Sequence, residues 1–362
     1  METRPKYERL KQTIKHNIRD GIWKPGEKLP SENSLCEHFG VSKITVKRAK
    51  DELIAEGVLE TMTGKKGVFI RKLYTIPPSG FIAVAIDDIN DTPFIEAFKG
   101  IEDRLWQDRL HLTLGNLYSD PEKANVYFQS LLQGDIVGVI FAPVRGVGYE
   151  KNNQRIIDLL TEKHIPYVLI DRYLPGQLHS SVVSNNRQVS GELTKLLISQ
   201  GHSRILVVAG GECSSMNERV QGHLEALQES GIGHDPHLLI RTKEIQLLGE
   251  QHQQRRELER IKNLREKAGE FTACYLMNIP IHKALPAIFP NGRDVDKNIE
   301  FATYDDASKD LRTLTNRALV VKQPGYKMGW EAARLLIKGF REPDQGVVQI
   351  TLKSEIIEQT FE

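Results

Sequence analysis

Cysteine is scarce. Cys36, Cys213 and Cys274 are the only three in 362 residues, far apart and without a CxxC. That excludes an even-numbered disulfide framework and fits thiols kept reduced in a cytoplasm. Long apolar runs are also missing, since no stretch approaches the roughly 20 apolar residues that span a bilayer. The opening Met1-Glu2-Thr3-Arg4-Pro5-Lys6 carries no secretory apolar core, so a cytoplasmic protein with no membrane partner is expected. No GxGxxG, Walker P-loop, GxSxG or HExxH occurs, which argues against the enzyme classes those motifs serve. His111, His164, His202 and His223 lack metal-ligand spacing, which predicts solvent-facing or capping roles. The expectation is therefore no catalytic residue, no metal and no cofactor.

Charge is balanced overall and unbalanced along the chain. Residues 1–72 hold 16 Lys and Arg against 10 Asp and Glu, while the remainder holds 33 against 38. A basic head on an acidic body suits a polyanion-binding domain joined to a larger one. In the head, Tyr7, Leu10, Ile14 and Ile18 fall at helical spacing and Gly21 closes the segment. Pro25-Gly26 marks a turn. Ser31 is placed to cap a helix from Glu32 to Phe39, with Leu35, Cys36 and Phe39 inward. After Gly40, Ser42 is placed to cap a second helix carrying Val46, Ala49, Leu53 and Ile54. Helix, tight glycine turn and helix is the helix-turn-helix layout. After Gly57, Val58–Met62 and Val68–Arg71 flank Gly64-Lys65-Lys66-Gly67, a hairpin with a basic tip. Such a head would lay its second helix in a DNA major groove, with Ser42, Lys43, Ile44, Thr45 and Lys47 leading. Lys65 and Lys66 would reach phosphates or the minor groove, with Gly64 and Gly67 allowing close approach.

Residues 73–80, with Pro77-Pro78, read as a linker. From Phe81 onward short Val- and Ile-rich runs alternate with helical stretches. The runs include Phe81–Ile86, Val137–Phe141, Tyr167–Ile170, Ile205–Ala209 and Ala273–Leu276. The helices include Ile95–Gln107, Lys123–Gln133, Gln154–Lys163, Gln188–Gln200 and Glu218–Ser230. Alternation of this kind implies an α/β fold with parallel sheets, and about 280 residues suit two lobes with a cleft between them. The charged segment Glu250–Lys267 reads as a solvent-facing helix. Ligands in open α/β sheets bind beyond the carboxyl ends of strands. Asp87 to Phe94, Asp171-Arg172, Gly210-Gly211, Asn278 and Asp305-Asp306 follow such strands, and Arg219 is expected to open the next helix. Carboxylates, amides and guanidinium groups beside an aromatic ring suit a polyol. Asp and Asn after strands are also common as plain helix caps.

The string Pro25-Gly26-Glu27-Lys28-Leu29-Pro30-Ser31-Glu32-Asn33, followed by Phe39-Gly40-Val41-Ser42-Lys43 and Gly67-Val68-Phe69-Ile70, resembles the winged-helix head of the GntR regulators. The resemblance implies DNA contacts from Asn33, Ser42, Lys43, Thr45, Lys47, Gly64, Lys65 and Lys66. Asn33, Lys43 and Lys47 stand where many members carry arginine. Phe81-Ile82-Ala83-Val84, Ile165 to Arg172, Glu218-Arg219-Val220-Gln221-Gly222, Tyr304-Asp305-Asp306 and Val321-Lys322-Gln323-Pro324 are similar to the LacI/GalR effector domain. This second resemblance implies a pocket of Asp91, Phe94, Arg172, Arg219, Asn278 and Asp305. Asp91 replaces the usual asparagine, and Ile279 replaces the common aspartate after Asn278. The pairing resembles the arabinose repressors of Gram-positive bacteria and implies a sugar effector such as arabinose. The expected molecule is a winged helix-turn-helix domain (1–72), a linker (73–80) and a two-lobed periplasmic-binding-protein-like domain (81–362). It would be a homodimeric repressor acting on a double-stranded DNA operator. The alternatives are a sugar-processing enzyme and a solute-binding receptor.

Overall fold

The computed structural model describes residues 5–19, 22–24, 26–55, 58–62, 64, 66–70, 81–131, 134, 136–243, 251–278, 284–290, 299–305, 311–312, 314–342 and 346–361. Met1 to Arg4, Gly21, Pro25, Gly57, Lys65, Arg71, the linker 73–80, Gln133, Glu250, Ile279 and Asp306, all named above, lie outside these. By contacts the chain forms two compact units, Met1–Pro77 with Ile337–Gly346 and Pro78–Leu336 with Val347–Glu362.

The head is three helices and a wing. α1 (Lys6–Arg19) presents Leu10, Ile14 and Ile18 on one stripe, and all three are buried. α2 (Glu32–Phe39) begins where the Ser31 hydroxyl accepts from the Ser34 N–H. It stops at Gly40, whose φ of 62° is a left-handed conformation that closes helices at little cost in glycine. α3 (Lys43–Ala55) turns Val46, Ala49 and Leu53 into the same core as Leu35, Leu59 and Ile70. β1 (Leu59–Thr61) and β2 (Val68–Ile70) pair antiparallel as the wing.

The body holds two six-stranded sheets, each flanked by helices. The first has β3 (Phe81–Ile86), β4 (His111–Asn116), β5 (Ile136–Phe141), β6 (Tyr167–Ile170), β7 (Ser181–Ser184) and β13 (Gln349–Leu352), in the order β13-β7-β6-β5-β3-β4. All its pairings are parallel, and its helices are α4 (Thr92–Gln107), α5 (Pro121–Leu131) and α6 (Tyr149–Glu162). The second lobe opens with α7 (Asn186–Ser199), β8 (Ile205–Ala209), α8 (Ser214–Glu229) and β9 (Leu239–Arg241). It continues with α9 (Gln251–Ala268), β10 (Ala273–Leu276), α10 (Leu285–Ile288), β11 (Glu300–Tyr304) and β12 (Arg317–Lys322). α11 (Gly325–Arg341) returns to the first lobe, where Gly325 and Gly329 let it lie against α4, and β14 (Glu355–Thr360) joins the second sheet antiparallel to β12. Its strand order is β14-β12-β11-β10-β8-β9. Near-continuous burial along the inner strands, such as Ile205–Ala209, is what sheets covered on both faces require.

The chain crosses between lobes three times, at Ser184–Asn185, at Gln323–Pro324 and between Leu352 and Glu355. These crossings are tied to each other. The Ser184 hydroxyl donates to Gln323 Oε1 at 2.7 Å, and the Ser354 N–H donates to Asn185 Oδ1 at 2.8 Å.

Several expectations need correction. α8 begins at Ser214 rather than Glu218, so Arg219 sits in its second turn and does not open it. α6 begins at Tyr149, one turn before Gln154. α9 is charged but not wholly solvent-facing, because Glu257, Ile261 and Ala268 form a buried stripe on it. His223 is buried, bonded through Nδ1 to Thr194 Oγ1 at 3.0 Å, and burial pushes its ring down to about 4, so it is neutral.

Candidate DNA-binding face and effector cleft

On the head, α3 starts where the Ser42 hydroxyl accepts from the Thr45 N–H and pairs with the Thr45 hydroxyl at 2.9 Å. Arg48 is held by the molecule itself, over the Tyr7 ring at 3.8 Å and against Glu52 at 3.3 Å. Lys50 is paired with Glu32 at 2.6 Å. Lys43 and Lys47 are exposed and, among the described residues, make no hydrogen bond or ion pair. Asn33, Gly64 and Lys66 are exposed too. The face thus divides into residues that fix α3 on α1 and α2, and two lysines with free ammonium groups. As compact point charges, these suit phosphate or guanine acceptors.

In the body, the strand-end residues gather into two buried clusters, one on each lobe. The first centres on Asp87, 1% exposed at the end of β3. Its carboxylate accepts from the Ser119 hydroxyl, from Arg172 Nη2 at 3.0 Å and lies 3.2 Å from Arg145 Nε. Burial pushes this carboxyl up, but the two guanidinium groups pull it further down, and it ends below its ordinary value. Arg172 also donates to the Pro143 carbonyl at 2.9 Å, pairs with Asp171 at 2.9 Å and stands 5.8 Å from the Phe94 ring centre.

Asp91 is the N-terminal flanking residue of α4, yet its side chain makes no capping hydrogen bond. The plain-cap reading therefore fails there. Burial, helped by the nearby Asp87 and Asp88 and opposed by Arg145, raises its carboxyl to about 7. Raised in this way it keeps its proton more readily than an ordinary carboxyl, and the protonated form presents an O–H donor as well as an acceptor. That is the mixed capacity of an asparagine amide.

The second cluster centres on Arg219, 4% exposed. Its Nε donates to Asn186 Oδ1 at 2.8 Å, its Nη1 to the Met277 carbonyl at 2.5 Å, and the guanidinium lies 3.6 Å from the Tyr304 ring centre. α8 comes close enough to α7 to place it because Gly222 has no side chain; a Cβ there would lie 2.0 Å from the Arg187 carbonyl oxygen. Asn278 follows Met277, is 7% exposed, and its Oδ1 has no partner among the described residues. It fits only because Gly210 faces it; a Cβ there would lie 2.5 Å from Asn278 Nδ2. Asp305 accepts from Gln323 Nε2 at 2.6 Å; burial lifts its carboxyl to about 6 while Arg219 and Gln323 hold it down. Asp171 and Asp305 end corresponding strands of the two lobes with φ of 68° and 57°. Left-handed backbone in side-chain-bearing residues costs energy and collects at functional sites.

The lobes meet across these clusters. A cavity of about 410 Å³ lies between Thr92, Pro93 and Glu96 on one side and Asp305 and Gln323 on the other. A second, of about 440 Å³, lies between Ser119 and Arg145 and the Gly210-Gly211 turn. Bonds at the rim join the lobes: Gly146 N–H to the Glu212 carbonyl at 2.8 Å, and Tyr173 to Ser214 and Glu218 at 2.9 and 2.6 Å. Of the six body residues expected from the sequence, Phe94 and Arg172 adjoin directly, and Arg219 and Asp305 interact electrostatically. Asp305 lines the first cavity. Ser119, Arg145, Asn186 and Gln323 were not among the expected site residues, because no local spacing links them to their partners.

Comparison with known proteins matches the two domains separately. Residues 6–70 match the model of the bacterial regulatory proteins of the gntR family, and residues 82–251 match that of the periplasmic binding proteins and sugar binding domain of the LacI family. The chain is a transcriptional regulator with a gntR-family head and a LacI-type body. The regulator is 28% identical over 342 residues to the arabinose metabolism transcriptional repressor of Geobacillus stearothermophilus, covering 93% of this chain and 92% of that one. It is 26% identical over 343 residues to the protein of the same name from Halalkalibacterium halodurans, covering 93% and 89%. The structure of the transcriptional regulator CelR with cellobiose shares its fold, with a TM-score of 0.63 at 21% identity over 88% of this chain and 90% of that one. Among the described residues of the regulator, no helix is long and apolar enough to cross a membrane.

Proposed function

We propose that the regulator represses carbohydrate-use genes, that residues 1–72 bind a double-stranded DNA operator, and that a small sugar between the lobes of residues 81–362 controls operator affinity. Arabinose is the first candidate. The observation that carries this reading is the pair of buried polar clusters on facing strand ends. They contain an Asn278 amide oxygen without a partner among the described residues, two carboxyls raised towards neutrality and two guanidinium groups, each beside an aromatic ring. Hydroxyls that both donate and accept, on a ring with a C–H face, match such groups.

Gln323 supports the coupling. Its carboxamide donates to Asp305 in the cleft and accepts from Ser184 at another crossing, so a ligand that engages Asp305 bears on the segments about which the lobes turn. An effector shifts an equilibrium only if it binds the two states differently. Titration of a sugar panel against operator affinity tests this. One sugar should bind the body and change operator affinity at least about fivefold, on the scale of ordinary allosteric coupling. Binding with no change in operator affinity defeats the proposed control.

Dimerisation is part of the same reading. α4 and the edge strand β4 pack together, and they carry Trp106, 77% exposed, with Ile95 and Leu114 also exposed. Apolar side chains collected along one edge mark an interaction surface, and a second copy of the chain is the proposed occupant. Sedimentation should show a dimer that Trp106→Glu converts to monomer; a variant still sedimenting as a dimer excludes this face.

A further inference from the structure

We propose that Ile44 is a specificity-determining residue of the head, and that it reads the C5-methyl group of a thymine in the operator major groove. The inference rests on the reading that α3 enters that groove. Ile44 lies in the first turn of α3 and is 81% exposed, whereas Val46, Ala49 and Leu53 on the opposite face are buried. The polar groups around it are accounted for. The Ser42 and Thr45 hydroxyls are engaged with each other, and Ser42 also caps the helix. Arg48 is taken up by Tyr7 and Glu52, and Lys50 by Glu32. What remains free on the leading turns is Lys43, Lys47 and the Ile44 side chain.

Flexible ammonium groups neutralise phosphate or meet guanine as point charges and discriminate weakly. A branched apolar group cannot hydrogen-bond to any base edge. Its one favourable partner in the major groove is the thymine methyl, the only apolar feature that base pairs present there. Ile44 therefore distinguishes a T·A pair from one lacking the methyl, and does so by removing apolar surface from water.

The test uses the full chain and an operator selected from a random duplex pool. Each thymine is replaced singly by deoxyuridine, which keeps the pairing and loses the methyl. In the unaltered protein, one position per half-site should cost about fourfold in affinity, the scale of burying one methyl-sized group. Ile44→Ala should lose a similar factor on the unmodified operator and be indifferent to deoxyuridine at that position. Lys47→Ala should weaken all sequences alike and lower the salt dependence by about one counterion. If Lys47→Ala weakens binding but every deoxyuridine costs the Ile44→Ala variant as much as it costs the unaltered protein, the proposal for Ile44 is overturned and the placement of α3 stands. If neither variant changes affinity, α3 is not at the DNA and both fall.

Discussion

Arg219→Ala should abolish the response to effector while leaving operator affinity in its absence unchanged. Effector affinity is expected to fall about a hundredfold, because truncating one member of a buried hydrogen-bonded charge network costs roughly 2–5 kcal/mol. The geometry gives the reason. Arg219 fixes Asn186 and the Met277 carbonyl, lies on the Tyr304 ring and supplies positive charge beside Asp305. Its removal leaves two buried acceptors without their donor and lets the Asp305 carboxyl rise further, towards the neutral acid. Arg219→Lys keeps the charge without the planar fork and should lie between the two. Calorimetric titration of the protein with effector and fluorescence anisotropy on a labelled operator separate the two quantities. A parallel fall in both would mean that Arg219 acts through the folding of the second lobe instead.

Asp87→Asn should lower the melting temperature of the body by an amount on the order of 10 °C. One carboxylate there serves two buried guanidinium groups, Arg145 and Arg172. Neutralising it takes the shared counter-charge from both, leaving Arg172 with Asp171 and Arg145 with Ser119 among its partners, and losing one member of a buried ionic cluster costs up to roughly 3–5 kcal/mol. Restoring the balance should rescue: Asp87→Asn combined with Arg145→Met should melt above the single variant. The pH dependence follows from the lowered carboxyl of Asp87. Its stabilisation is complete above the unfolded carboxyl range near about 4 and is lost as pH falls through the lower folded value. Asp91 works in the opposite sense. With its folded value raised to about 7, it disfavours the unliganded fold increasingly as pH rises from about 4 towards 7. Scanning calorimetry of the protein and of Asp87→Asn between about pH 3 and 8 checks both directions. A variant that melts with the parent, at the same pH dependence, removes the charge account.

Some of this was readable in the chain itself. Ser31, Gly40 and Ser42 mark the helix ends of the head because capping is local chemistry, and the alternation of Val- and Ile-rich runs with helices announced parallel sheets. The start of α8 was hidden, since Ser214-Ser215-Met216-Asn217 offers a single apolar residue, Met216, and its serines are buried only by tertiary packing. The buried stripe of α9 was hidden under its charge: Glu257 is inside because Arg260 and the Lys243 N–H satisfy it. Strand-end position singled out Asp87, Arg172 and Asp305. It could not reveal that Arg145 and Ser119, from two other loops, complete the Asp87 cluster, or that Gln323 joins Asp305 to Ser184. Those partnerships reach from 18 to 139 residues along the sequence and exist only once the sheets have formed.

The late strands bear on how the chain is made. β13 completes the first sheet and β14 the second, and both lie within residues 349–360. A nascent chain therefore offers the three helices and wing of the head, whose contacts with one another are short in sequence, long before either lobe can close. Until those last strands emerge from the ribosome, β7 and β12, inner strands of the complete sheets, have their backbone edges open to the surroundings. Bodies short of these strands are the ones prone to pair with one another through β7 and β12.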